Sequence, residues 1–269
     1  MPGRRSDPDV DADPPSIPAP GWMRLLLELR APLEFAASAA AFPWLATAPR
    51  GDGHAVIVYP GFLGSDLSTR PMRRLLRWLG HDVHGWGQGR NRVASAEVMD
   101  LAVQRIHELH RTSGRRISLV GWSLGSLYAR EFAKRAPDAV RGVVTLGSPF
   151  TGPRQASNAG RLYDSLNRRR PSVSISRDDL RQPPPAPTTS IYSRSDGIVA
   201  WQCSVEQPGA QVENIEVQAS HAGLGVNPLA LYALADRLAQ PEGHWSPFDR
   251  NGVRGVFFPD PLRDAAVSR

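Results

Sequence analysis

The residues best suited to nucleophilic chemistry centre on Ser123, in the sequence Gly121-Trp122-Ser123-Leu124-Gly125. A strand-like apolar run ends at this serine, and a helical pattern begins directly after it. Glycines two positions before and after a serine predict a sharp strand-to-helix turn that holds the hydroxyl clear of the sheet. A serine is a competent nucleophile only when a base removes its proton, so without partners elsewhere the motif is an ordinary turn.

Asp196 and His221 are the candidate partners, because each follows a predicted strand. The carboxyl ends of parallel strands share one edge of a sheet, so both side chains could reach Ser123 there. Singly, a loop aspartate is more often a turn former and a loop histidine a surface residue. Together, in the order Ser, Asp, His, they predict a relay in which His221 is the base and Asp196 orients it. The histidines and aspartates in weaker positions are His54, His81, His84, His107, His110, His244, Asp164, Asp178, Asp179 and Asp236.

A glycine-containing turn, Pro60-Gly61-Phe62-Leu63, follows the first strong predicted strand. Such a turn lets a backbone N–H point at a developing negative charge. We expect the amides of Phe62 and Leu124 to form this oxyanion hole, with Gly61 allowing close approach. A turn without a catalytic role is the alternative.

An apolar substrate pocket is expected beside this turn, with contributions from Gly61, Leu63 and Phe150. Phe150 is equally interpretable as a core aromatic.

Strands and helices alternate from residue 54, which predicts a mostly parallel sheet covered by helices on both faces. One of these helices is predicted over residues 95–114, with Ser95 as N-cap and Gly114 as its stop. Residues 150–187 break the rhythm and are interpreted as a cap or lid insertion within an α/β domain over 49–240. Residues 241–269 are interpreted as a C-terminal tail.

Composition excludes several classes of function. The 269 residues are 41% apolar and 22% charged, which is ordinary for a globular protein. Despite the net charge of +6, no aromatic-interleaved basic stripe is present, so no nucleic-acid partner is expected. Cys203 is the single cysteine, which excludes an intramolecular disulfide and a cysteine metal cluster. We expect a cytoplasmic protein with no metal site.

The N-terminal region divides into a proline- and aspartate-rich tail over 1–20, expected to be disordered, and an amphipathic helical segment over 21–48. The apolar part of the segment is too short to span a bilayer. It is expected to pack on the domain as a helix. A peripheral membrane-surface or lid-like role is the alternative.

The motifs resemble the α/β-hydrolase superfamily, and bacterial lipases and esterases within it. The resemblance rests on Gly-Trp-Ser-Leu-Gly at 121–125, Pro-Gly-Phe at 60–62, Gly-Ser-Pro at 147–149, Asp-Gly-Ile-Val at 196–199 and Ser-His at 220–221. It implies the α/β-hydrolase fold and hydrolysis of small-molecule or lipid carboxylic esters through an acyl-serine, with no cofactor. Trp122 and Ser126 depart from the histidine and second glycine that many lipases carry there. Other acyl transfers (amide, thioester or transfer to an alcohol) and a non-catalytic binding protein remain alternatives.

Overall fold

The computed structural model describes residues 17–92, 95–167 and 176–263. Most of the predicted disordered tail, residues 1–16, lies outside the described residues, and so does part of the predicted insertion, residues 168–175.

Six parallel strands form one sheet in the described chain, in the order β2-β1-β3-β4-β5-β6. The strands are β1 Ala55–Tyr59, β2 Asp82–Gly85, β3 Ile117–Trp122, β4 Val140–Leu146, β5 Thr188–Tyr192 and β6 Val212–Glu216. All five residues of β1 are buried, as expected for a strand covered on both faces. The predicted parallel sheet is confirmed.

The helices cover the sheet from both sides. They are α1 Trp22–Leu26, α2 Ala31–Ala40, α3 Phe42–Leu45, α4 Arg70–Trp78, α5 Ala96–Ser113, α6 Leu124–Arg135, α7 Gly160–Asn167, α8 Arg177–Arg181, α9 Pro228–Leu238 and α10 Arg254–Phe257. Alternate residues of β1 enter two separate apolar cores. Val56 and Val58 join the core beneath α3, α4 and α9, whereas Ala55, Ile57 and Tyr59 join the core beneath α5 and α6.

The predicted boundaries of α5 are confirmed by its caps. The Ser95 hydroxyl accepts a hydrogen bond from the Val98 amide at 3.3 Å, which satisfies one of the free N–H groups of the first turn. Gly114 ends the helix with a φ of 66°, a left-handed conformation in which a side chain would be strained.

The described parts of the predicted insertion are held to the domain at both ends. The Thr151 amide donates to the Cys203 carbonyl at 3.1 Å. At the other end, the guanidinium of Arg130 donates to the carbonyls of Leu180 and Gln182 and pairs with the buried carboxylate of Glu206. Arg130 is fully buried, so these bonds supply the partners that its charge requires.

The N-terminal segment differs from one continuous amphipathic helix. It consists of α1, a 3₁₀ turn over Leu27–Arg30, α2 and α3. At its end the apolar side chains pack on the domain: Leu45 is buried, and the Trp44 ring stacks on Tyr232 with centroids 4.5 Å apart. Earlier in the segment the orientation is reversed, because Glu28 and Glu34 turn inward and most large apolar side chains are exposed. Periodicity in the sequence does not reveal which face turns inward.

No helix in the described ranges combines the length and apolarity needed to cross a bilayer.

Candidate active site

Ser123 lies at a strained turn between β3 and α6. Its φ of 54° and ψ of −119° are uncommon for a residue with a side chain. The Ser123 amide donates to the Leu146 carbonyl at 2.8 Å, which ties the turn to β4. A Cβ at Gly121 would overlap the backbone of Ser126, and one at Gly125 would lie 2.6 Å from the Pro60 carbonyl oxygen. The spacing of the motif therefore follows from two close backbone approaches.

The two departures from the lipase pattern have structural roles of their own. Ser126 is fully buried and donates from its hydroxyl to the Gly121 carbonyl at 2.6 Å, which closes the turn internally. The Trp122 indole N–H donates to the His221 carbonyl at 3.1 Å. Residue 122 therefore holds the loop that carries the candidate base.

The structure brings Ser123, Asp196 and His221 together at the carboxyl edge of the sheet. His221 Nδ1 lies 2.6 Å from Asp196 Oδ2, and His221 Nε2 lies 2.9 Å from Ser123 Oγ. A carboxylate only accepts hydrogen bonds, so Nδ1 carries the proton and Nε2 is left to accept from the serine hydroxyl. This arrangement can remove a proton from Ser123.

Asp196 is held in place by its second oxygen. Oδ1 accepts from the amides of Ile198 at 2.8 Å and Val199 at 2.7 Å, so both oxygens of the carboxylate are hydrogen-bonded. Asp196 is buried, and its loop follows β5 as the sequence predicts.

Opposing influences act on the imidazole. Burial of His221 favours the neutral ring, but the charges of Asp196 and Glu28 and the hydrogen bond that His221 donates to Asp196 outweigh it, so the pKa of His221 is raised. The same negative charges favour proton transfer from Ser123 to His221, because they stabilise the imidazolium that the transfer forms.

Gly147, the first residue of Gly-Ser-Pro, lies against this pair. It has a φ of 57°, and a Cβ there would meet Leu224 Cδ1 at 2.6 Å and His221 Nδ1 at 3.1 Å. The absence of a side chain at position 147 leaves room for the contact between His221 and Asp196.

The predicted oxyanion loop also lies against the serine. A Cβ at Gly61 would lie 3.3 Å from Ser123 Cβ. Leu124 is the first residue of α6, where an amide has no carbonyl four residues back within the helix. The positions of Gly61 and Leu124 are compatible with donation by the amides of Phe62 and Leu124, which stays a prediction.

Asn91 fixes this loop and was missed by sequence reasoning. It is fully buried, and its side-chain amide donates to the Pro60 carbonyl at 2.6 Å. Its backbone carbonyl accepts from the Leu63 amide at 2.6 Å, which holds Leu63 at a φ of 60°. Its only signal is an asparagine in a glycine-rich loop, which does not indicate a partner 31 residues away.

The residues predicted to line the pocket lie in different surroundings. The Phe62 ring packs on Tyr163 of α7 with centroids 5.3 Å apart, so the insertion reaches the oxyanion loop. Phe150 is buried, with the Arg130 guanidinium 4.0 Å above its ring, as expected of a core aromatic. Roles for Gly61, Leu63 and Phe150 in substrate binding stay predictions.

A second Asp–His–Ser set lies near the amino edge of the sheet. His54 Nδ1 is 2.5 Å from Asp52 Oδ1, and His54 Nε2 is 2.8 Å from Ser118 Oγ. Ser118 is buried within β3, which pairs with strands on both sides, and burial lowers the pKa of His54. This serine lies inside a strand and lacks the half-buried strand-to-helix turn of Ser123, so the set has the form of a structural network.

The fold and the site together define a parallel α/β protein with a serine, histidine and aspartate in hydrogen-bonded contact at the carboxyl edge. The profile of the alpha/beta hydrolase fold family matches residues 36–182, more than half of the sequence. The chain therefore belongs to the α/β-hydrolase family. Asp196 and His221 lie beyond the matched range. The comparison with curated proteins found no match.

Solved structures with similar folds include hydrolases. Aspergillus fumigatus lipase B superposes with a TM-score of 0.54 at 17% identity, covering 76% of this chain and 58% of the lipase. A candidate aryl esterase from Burkholderia cenocepacia superposes with a TM-score of 0.51 at 16% identity, covering 70% of this chain and 91% of the other. This chain thus spans under two thirds of the fungal lipase. At these identities the similarity shows the fold alone.

Proposed function

We propose that this protein is a serine hydrolase that cleaves carboxylic esters through an acyl-serine intermediate. The observation that carries the proposal is the pair of contacts made by His221, with Ser123 at 2.9 Å and with Asp196 at 2.6 Å. A nucleophile, a base and a group that orients the base are the parts that acyl transfer by serine requires.

In the proposed cycle, Ser123 Oγ attacks the ester carbonyl while His221 Nε2 takes its proton. Asp196 holds the ring and stabilises its cation, and the amides of Phe62 and Leu124 bind the oxyanion. The imidazolium then donates its proton to the leaving alcohol. Water, activated by His221, attacks the acyl-serine and releases the acid.

A substrate panel separates the alternatives. We expect turnover of p-nitrophenyl esters from acetate to palmitate that exceeds turnover of matched thioesters and anilides. A fluorophosphonate probe, which reacts only with an activated serine, is expected to label Ser123 stoichiometrically by peptide mass spectrometry. Faster thioester turnover would instead assign a thioesterase. Absence of both labelling and turnover would assign a non-catalytic binding protein.

We further propose that the outer face of the N-terminal segment contacts an anionic lipid surface. Because Glu28 and Glu34 turn inward, the outer face of the segment carries apolar side chains and the exposed Arg24. Its large exposed apolar residues include Trp22, Met23, Leu26, Leu29, Leu33 and Phe35. An apolar face with basic charge and no outward carboxylate fits the interface of an anionic bilayer. A lipid ester in that bilayer would then lie near the loop of His221.

Replacing Leu29 and Leu33 together with serine is expected to weaken binding to phosphatidylglycerol vesicles about tenfold or more, because each leucine contributes roughly 1.5–3 kcal/mol when fully buried. The two side chains are 77% and 72% exposed, so the fold should tolerate the change. Co-sedimentation measures binding, and hydrolysis of a short soluble ester should stay at the wild-type rate.

The matched control replaces Val253 and Val256 with serine. These valines lie outside the N-terminal segment and are 74% and 79% exposed. Equal sedimentation of both double variants, or failure of the wild type to sediment, would contradict the lipid proposal. Loss of a dimer in the first variant would instead show that the face binds a second copy. Point substitutions are preferable to deletion of the whole segment, because deletion would also remove the bonds of Glu28 and Glu34 to the amides of Gly197 and Ser220.

A further inference from the structure

The carboxylate of Glu28 links the two loops that carry Asp196 and His221. Its Oε1 accepts hydrogen bonds from the amides of Gly197 at 2.8 Å and His221 at 2.9 Å. Its Oε2 accepts from the amide of Ala222 at 2.9 Å. Glu28 lies in the 3₁₀ turn between α1 and α2. Its side chain thus bonds both to Gly197, which follows Asp196, and to His221 itself.

These bonds are made to loop amides that lie outside the hydrogen-bond ladder of the sheet. Asp196 lies beyond the end of β5 and His221 beyond the end of β6. Hydrogen bonds to an ionised acceptor are roughly twice as strong as neutral ones, so three of them on one carboxylate restrict both loops. Gly197 has no room for a side chain, because a Cβ there would lie 2.7 Å from the Arg24 carbonyl carbon. The segment and the loop are in direct contact.

Glu34 lies nearby but differs from Glu28 in its charge balance. It accepts from the Ser220 amide at 2.8 Å and pairs with Arg30 at 2.8 Å, so its charge is neutralised locally. Within the described ranges, Glu28 has no arginine or lysine at ion-pair distance. Its negative charge therefore acts on the amides and on the imidazole next to them.

We infer that Glu28 is a positioning residue of the proposed hydrolase, which fixes the acid and base loops relative to each other and stabilises the imidazolium formed when His221 takes the proton of Ser123. The kinetic part of the inference rests on the proposed function. The effect of the Glu28 charge on His221 does not, because it can be measured without a substrate.

The direction of the charge effect follows from the groups packed around His221. These are Asp196 from the loop after β5, Glu28 from the N-terminal segment, and the Arg30–Glu34 pair beside Ser220. The turn between β3 and α6 contributes uncharged side chains. Burial lowers the pKa of His221, whereas Asp196 and Glu28 raise it. Removing the Glu28 charge must therefore lower the pKa of His221.

The experiment compares Glu28→Gln with the double variant Arg30→Gln/Glu34→Gln, each made in the whole chain. The imidazole of His221 is titrated by NMR in histidine-labelled protein, and kcat/KM for a soluble ester is measured against pH. In Glu28→Gln we expect the titration midpoint and the acidic limb of kcat/KM to move to lower pH. We also expect kcat to fall about 10- to 100-fold with little change in KM, because small displacements of catalytic groups have effects of that size. In Arg30→Gln/Glu34→Gln, which removes both charges of the neutral pair, the midpoint should stay at the wild-type value.

Equal titration midpoints for His221 in wild type and Glu28→Gln would overturn the inference, whether or not the protein hydrolyses esters. Failure of the proposed function would appear separately, as wild-type protein that titrates normally but neither turns over esters nor reacts with a fluorophosphonate. If Glu28→Gln does not fold, Glu28→Asp serves as the second variant. It keeps the charge but shortens the reach, so amide exchange at Gly197, His221 and Ala222 should accelerate. Unchanged exchange would contradict the positioning role.

Discussion

Replacing Ser123 with alanine is expected to lower kcat for ester hydrolysis by about 10⁴- to 10⁶-fold, the range seen when a catalytic serine is removed. The substitution deletes the atom that forms the acyl bond and leaves the turn in place, because the bond from the residue 123 amide to the Leu146 carbonyl does not involve the side chain. Steady-state kinetics with p-nitrophenyl butyrate measure the loss, and circular dichroism checks the fold. Labelling by the fluorophosphonate should disappear at the same time.

Ser118→Ala is the matched control, because Ser118 also contacts a histidine that is bonded to an aspartate. Its hydroxyl is buried in β3, so its removal should leave both labelling and turnover close to wild type. If the Ser123→Ala protein kept its labelling and Ser118→Ala lost it, the nucleophile would be misassigned.

Replacing Asp196 with asparagine should have the second-largest effect, a fall in kcat of about 10⁴-fold, as seen when the orienting carboxylate of a serine protease is made neutral. The structure gives a specific reason. Oδ1 of residue 196 must stay an acceptor for the amides of Ile198 and Val199, which forces the new NH₂ group toward His221 Nδ1. His221 can then accept at Nδ1 only by carrying its proton on Nε2, where the base function is lost.

The rate of fluorophosphonate labelling tests this directly, since labelling needs the same base. Asp100→Asn, at an exposed carboxylate on α5, is the control and should label at the wild-type rate. If the Asp196→Asn protein kept a tenth or more of wild-type kcat, another group would have to orient His221.

The sequence by itself determined the features that depend on neighbours along the chain. The strand β1 follows from its continuous apolar run, the helix α5 from its caps at Ser95 and Gly114, and the glycine spacing around Ser123 from local sterics. A parallel sheet also follows from alternating elements, and it places the ends of successive strands at one edge. That is why Ser123, Asp196 and His221 could be grouped as candidates without coordinates.

Only the tertiary structure decided which polar groups support the candidates. Glu28 meets the amide of His221 across 193 residues of sequence, and such contacts leave no periodic trace in the sequence. Charges spaced along the N-terminal segment suit an amphipathic helix whichever face turns inward, so its inverted orientation was not predictable. The Asp52–His54–Ser118 set shows the same limit, because it has the same residue types at similar distances. Ser118 is buried inside the sheet, whereas Ser123 is only half-buried at its turn, and residue type does not reveal that difference. Residue type and local pattern are encoded by the chain, whereas exposure and long-range contact arise when separate elements pack together.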